Sequence, residues 1–196
     1  MVAYDKNNIG AYSPKVTGGV FVAPKGTKLP VSVTEKLSSE FVSLGYVTED
    51  GVTEAVSRDV EKKKAWGNQT VKILTTDHTV EYSLSLMETA NLAAMKTVYG
   101  EDNVEQKADG SVVMLNADEL PEQVIIFDML DKSSKIGKRI IVPAGKVTEL
   151  GDTTYVHSDT TQFEITIEAM DDEKGNKSYI YTATGDAVAN EEPVTP

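Results

Sequence analysis

Val80, Tyr82, Leu84 and Leu86 alternate with Glu81, Ser83 and Ser85, and Phe163, Ile165, Ile167 and Ala169 alternate with Gln162, Glu164, Thr166 and Glu168. A period of two puts every second side chain on one face, so both runs predict strands with one buried and one solvated side. Gln123–Leu130 is apolar on both faces, which predicts a central strand. Shorter strands are expected at Gly19–Ala23, ended by Pro24 and Gly26, at Phe41–Val47, at Ser111–Leu115 after an Asp109-Gly110 turn, and at Lys138–Val142, ending at Pro143. Asp171–Asn176 reads as a turn, from which Tyr179–Thr182 pairs back. One helix is expected, over about 88–99: Thr89 caps it, Leu92, Met95 and Tyr99 share a face, and Gly100 stands where helices stop. The fold class is therefore mainly antiparallel β, a sandwich or open barrel with one flanking helix.

The segment 52–76 departs from this pattern. Asp50-Gly51 is a tight-turn dipeptide, Gly67-Asn68 offers a second turn, and Thr70–Thr76 returns as β-prone sequence. Val52, Val56 and Val60 share a strand face, but Glu54, Arg58, Asp59, Glu61 and Lys62-Lys63-Lys64 lead to Trp66. This predicts a long polar hairpin or extended loop with little to bury inside its own fold. The lysines with Trp66 could be a nucleic-acid patch, although Asp59 and Glu61 precede them and no second basic cluster supports that reading. A solvated hairpin face explains the lysines as well as contact with a neighbouring copy does. Trp66 favours contact, because a large aromatic at the tip of a charged hairpin is a typical interface anchor. Val52, Val56, Arg58, Val60, Lys62, Lys63, Lys64 and Trp66 are thus the candidate self-assembly residues.

Composition narrows the classes. The chain has 196 residues, 40% of them hydrophobic, enough for one domain with a core. Residues 1–16 read as an arm, 17–185 as the β domain, and 186–196, acidic and small, as a disordered tail. No apolar stretch approaches a bilayer span, and residues 1–10 lack an apolar signal core, so synthesis and folding in a cytoplasm are expected. The absence of cysteine excludes disulfides and thiolate metal sites. A net charge of −12 opposes gripping DNA and suits a surface that lets nucleic acid pass.

Candidate chemistry is sparse. Neither the Walker spacing, nor G-x-G-x-x-G, nor G-x-S-x-G occurs, and Gly18-Gly19 is too short to cradle a phosphate. His157 beside Ser158 and Asp159 invites a triad reading, as Asp77-His78-Thr79 does more weakly. Neighbours on an extended chain point to opposite faces, so loop or strand-end histidines are expected instead. Asp171-Asp172-Glu173-Lys174-Gly175-Asn176 lacks the spacing and closing Glu of a calcium loop and reads as a hairpin turn. With 31 acids, a glycosidase-like carboxylate pair is expected by chance. Asn68-Gln69-Thr70 and Asn176-Lys177-Ser178 match the glycosylation pattern without the export context it needs. No cofactor and no catalytic residue are expected.

Val22-Ala23-Pro24-Lys25-Gly26-Thr27, followed by Phe41-Val42-Ser43-Leu44-Gly45-Tyr46-Val47-Thr48-Glu49-Asp50-Gly51-Val52, resembles the amino-terminal half of major tail proteins. These are the tail tube subunits of long-tailed, non-contractile bacteriophages. Tyr82–Thr89 running to Val98-Tyr99-Gly100, Arg139–Val147, and Phe163–Ala169 running into Asp171–Asn176 are similar to later parts of the same family. The resemblance covers roughly 17–184 and lies in the order and spacing of the pieces. It implies a β-sandwich with a flanking helix, self-assembly into stacked rings, commonly six-fold, and a hollow tube that carries DNA to the host without binding it specifically. It implies a location in the virion tail, assembly in the host cytoplasm, tape-measure and tail terminator proteins as further partners, and no membrane. The long loop after the second strand, with the terminal arms, would bridge successive rings. Some relatives continue into an immunoglobulin-like domain, which is not expected in a chain ending at Pro196. The alternatives are another phage structural protein, such as a capsid decoration, tail-completion or adhesion sandwich, and a carboxylate-based hydrolase.

Overall fold

The structure, a computed structural model, describes residues 8–15 and 18–185. Their strands, in chain order, are β1 (Ser13–Pro14), β2 (Val20–Pro24), β3 (Val42–Ser43), β4 (Val47–Lys64), β5 (Thr70–Leu86), β6 (Val104–Lys107), β7 (Gly110–Val113), β8 (Gln123–Asp131), β9 (Ile136–Leu150), β10 (Phe163–Ala169) and β11 (Tyr179–Thr184). Helix α1 (Leu92–Tyr99) follows β5, and a short 3-10 turn, Glu101–Asn103, follows the helix. All pairings are antiparallel: β3-β2-β8-β9-β10-β5-β4 form the main path of one sheet, β1 adds to β8, β11 adds to β9, and β6–β7 stand apart as a ribbon.

The sheet curls. Three strand steps separate β8 from β5, about 14 Å in a flat sheet, yet the rings of Phe127 and Tyr82 lie 5.1 Å apart. The apolar alternation explains the curl, since the inward residues of β2, β5, β8, β9 and β10 can leave water together only by converging. Val22, Leu84, Phe127, Val142 and Ile167 meet in one core, and Ala94, Met95 and Val98 of α1 pack into it. The sheet is not a closed barrel. On the opposite face of β2, β8 and β9 a smaller core gathers Ala23, Val124, Ile126 and Ile141 under Leu29, Leu37, Phe41 and the β11 tyrosines Tyr179 and Tyr181. Strand β8 therefore has apolar neighbours on both sides, as its unbroken apolar run predicts. The loop over this second face is fastened by Arg139, which pairs with buried Asp128 and donates through Nη1 to the carbonyls of Ser32 and Glu35.

Several expected boundaries differ. Pro143 does not end its strand: β9 continues to Leu150, and the register with β8 slips between Gln123/Gly145 and Ile125/Val142, so a bulge takes in the residue that cannot donate to the ladder. The strand from Tyr179 pairs with β9, Tyr179 opposite Ile141, because both edges of β10 are already taken by β9 and β5. Asp50-Gly51 does not separate two strands. It lies in a wide bulge between the pairs Val47/Leu86 and Val52/Leu84, with Gly51 at φ 69°. The helix is shorter than expected and is capped by Asn91, whose Oδ1 accepts from the amides of Ala93 and Ala94; Thr89 is not the cap. Gly18 serves a close approach, since a Cβ there would lie 1.6 Å from the carbonyl oxygen of Gly45. Of the expected amino-terminal arm, residues 8–15 are described, and Ser13 and Pro14 sit opposite Leu130 and Met129 of β8. The expected tail, 186–196, lies outside the described residues.

Candidate functional site

Strands β4 and β5 pair far beyond the body. Near the root, Val52 opposes Leu84 and packs at the margin of the main core, and Glu54 accepts a hydrogen bond from the hydroxyl of buried Tyr82 at 3.3 Å. Burial, with help from the Glu54 carboxylate, pushes that hydroxyl's pKa up to about 12. Beyond Glu54 the ribbon leaves its support: every residue from 53 to 73 is exposed. At roughly 3.3 Å per residue, the stretch from Glu54 to Ala65 reaches about 35 Å. The turn is the expected Gly67-Asn68, both with positive φ (98° and 70°), closed by the amide of Asn68 donating to the Ala65 carbonyl and that of Ala65 to the Gln69 carbonyl.

The register sorts the candidate residues by face. The irregularities at Asp59/Val60 and Lys63/Lys64 place their extra residues, Thr76 and Val71, on β5, so β4 keeps strict alternation from Val52 to Lys64. Val52, Val56, Arg58, Val60, Lys62 and Lys64 share the face that continues the main core, because Val56 opposes buried Val80 and Glu54 opposes buried Tyr82. Lys63 is on the other face with Ser57, Asp59 and Glu61, opposite Lys72. The expectation that the three lysines act together therefore divides. Lys63 pairs with Glu61 on its own face, whereas Arg58 and Lys62 have no ion-pair partner among the described residues. Trp66, in the turn, is 106% exposed.

Sequence reading missed the other strand's share. Ile73 opposes Lys62 and is 59% exposed, so Val56, Val60 and Ile73 make an uncovered apolar stripe. The signal was the apolar pair Val71 and Ile73, legible only once the pairing partner of Lys62 is known.

The histidines do not assemble a catalytic group. His78 opposes Arg58 on the ribbon, and His157 lies in the irregular segment between β9 and β10. Among the described residues no cluster of three or more His, Asp or Glu is placed to hold a metal, and no helix is long and apolar enough to cross a membrane. The Asp172 carboxylate of the expected turn is spent on the chain itself: Oδ1 accepts the amides of Lys174 and Asn176, and Oδ2 the hydroxyl of Tyr179. Those bonds, the tyrosine's first, hold its pKa below the usual carboxylate value.

The described residues thus form a curled β body from which one long ribbon projects unsupported. The family described as "Phage tail tube protein" matches residues 7–192, and the chain belongs to it. It is thus a tail structural protein and a virion component. No curated protein matches the sequence. Among solved structures, the tube-terminating cap of an anti-feeding prophage is similar at 12% identity and a TM-score of 0.47, covering 90% of this chain and 96% of that one. A chain of the sheath–tube complex of an extracellular contractile injection system (PVC) in its extended state is similar at 8% identity and a TM-score of 0.47, covering 85% and 90%. At such low scores neither likeness adds to the family match.

Proposed function

We propose that this tail protein is the repeating subunit of the tube itself: six copies close into a ring, rings stack, and the hollow stack conducts DNA into the host. Assembly takes place in the host cytoplasm, with tape-measure and terminator proteins setting length and end. The observation that carries this reading is the exposed β4–β5 ribbon. An isolated two-stranded ribbon is marginal in water, and one bearing an uncovered Val56–Val60–Ile73 stripe and a fully exposed Trp66 calls for a partner. In the tube that partner is an adjacent subunit, with Val52, Val56, Arg58, Val60, Lys62, Lys64 and Trp66 as the assembly residues, and Lys63, turned to the other face and paired with Glu61, set apart from them. The net charge of −12 suits a conduit that DNA must traverse without adhering. The protein acts by assembling and catalyses nothing.

The test replaces residues 58–70 by a tight turn and compares concentrated protein with the parent by negative-stain microscopy. The shortened chain should remain a folded, soluble subunit that forms no long tubes. Tubes like the parent's would overturn the placement of the interface.

A further inference from the structure

The ribbon is polarised across its thickness. The face continuing the main core carries Val56, Val60 and Ile73 among Arg58, Lys62, Lys64 and His78, and beyond Glu54 it holds no carboxylate. The reverse face carries Asp59, Glu61, Asp77 and Glu81, with Lys63 and Lys72 near the turn. Over 52–79 there are five cations and four carboxylates, net +1, which leaves 14 cations and 27 carboxylates, net −13, in the rest of the chain. The ribbon over 52–79 is thus near neutral in an acidic protein, and Arg58, Lys62 and Lys64 lie on the face that carries its apolar stripe.

We propose that only the Val56–Arg58–Val60–Lys62–Lys64 face docks, that its occupant is the acidic body of a second copy of this chain, and that the Asp59–Glu61 face stays uncovered. This rests on the tube-subunit reading. The stripe supplies apolar contact, and Arg58 and Lys62, without an ion-pair partner among the described residues, supply attraction to a surface of opposite sign. Duplex DNA fits less well, because the ribbon is one residue layer thick and four carboxylates stand directly behind the cations. Lys63 is excluded from the contact by its face and by its local pairing with Glu61.

The experiment compares two charge-matched double variants of the full chain, Lys62→Glu/Lys64→Glu and Lys63→Glu/Lys72→Glu, with the shortened-ribbon chain alongside. Sedimentation gives the protein concentration at half-assembly, in low and in high salt, and circular dichroism confirms that each subunit is folded. The first variant should raise that concentration at least about tenfold in low salt, less in high salt, while the second stays within about threefold of the parent. Equal effects of the two variants, with the shortened chain still unable to assemble, would overturn the face assignment and leave the tube reading standing. Normal assembly of the shortened chain would overturn the placement of the interface on the ribbon, whereas failure of the parent chain to form tubes would overturn the tube reading itself. A gel shift of duplex DNA by the unassembled subunit, abolished by Lys62→Glu/Lys64→Glu, would overturn the choice of occupant.

Discussion

Strand β8 and the outer half of β4 are both extended segments paired antiparallel along their length, and they end in opposite environments. Nearly every residue of β8 is buried, because its two faces serve two cores. Beyond Glu54 no residue of β4 is buried. The backbone ladder is common to both, so the ladder is not what separates them. Exposed backbone hydrogen bonds exchange with water at little net gain, whereas each large apolar side chain withdrawn from water contributes about 1.5–3 kcal/mol. The body is therefore stable by itself, and the ribbon is a paired structure whose stability is left to something outside the subunit.

The sharpest way to break this comparison is to truncate an aromatic in each region. Phe127→Ala, in the main core against Tyr82, should destabilise the isolated subunit by about 3–5 kcal/mol in urea unfolding. Trp66→Ala should leave that unfolding unchanged within about 0.5 kcal/mol, yet weaken assembly by about 2 kcal/mol or more per contact. A comparable loss of subunit stability from both variants would mean that the ribbon folds as part of the body.

A smaller effect is expected at the clamp over the second core. Asp128 and Arg139 are register partners on β8 and β9 and both are buried, but Asp128 Oδ1 and Arg139 Nε have no partner among the described residues. Asp128→Ala strands the guanidinium and should cost about 3 kcal/mol, with the Ser32–Glu35 segment becoming protease-sensitive. Asp128→Leu with Arg139→Met removes both charges and should cost clearly less. If the double change costs more than the single one, the pair stabilises the fold beyond merely satisfying its own burial.

These contrasts also explain what the sequence could and could not reveal. The alternation at 80–86 and 163–169, the double-faced run at 123–130 and the Gly67-Asn68 turn are local signals, and each stands where expected. What failed was non-local. Pro143 reads as a stop until a bulge opposite Val124 makes room for it, and Tyr179–Thr182 reads as the mate of its sequence neighbour until β10 proves to have no free edge. Thr89 was a sound cap by type, and Asn91 took the place because its side chain reaches two free amides. At the ribbon, the valine face was legible from spacing. The division of Lys62 and Lys64 from Lys63 follows from the same alternation, but gains meaning only when one face is seen to continue the core and the other the Glu61–Lys63 pair.

The smallest effect expected sharpens the comparison at the other end of the chain, where residues 8–15 could behave as part of the body or as a second loose arm. Asp131, at the end of β8, accepts the Ser133 hydroxyl and the amides of Ser133 and Ser134 through Oδ1, and the amide of Ala11 through Oδ2. The Ser133 hydroxyl first, then the Ala11 and Ser134 amides, hold its pKa well below the usual carboxylate value. A depressed folded pKa means that the ionised form is the one the fold prefers. Its contribution is complete above the unfolded value, near pH ~4, and is lost as pH falls from there toward the folded pKa. Asp131→Asn, which can still accept but carries no charge, should lower the Tm slightly at pH 7, and its gap to the parent should narrow below pH ~4. Amide exchange at Ala11 should quicken in the variant while exchange along β9 does not change. If exchange at Ala11 is already as fast in the parent as it is along the outer ribbon, then residues 8–15 belong with the ribbon, and the body begins only at β2.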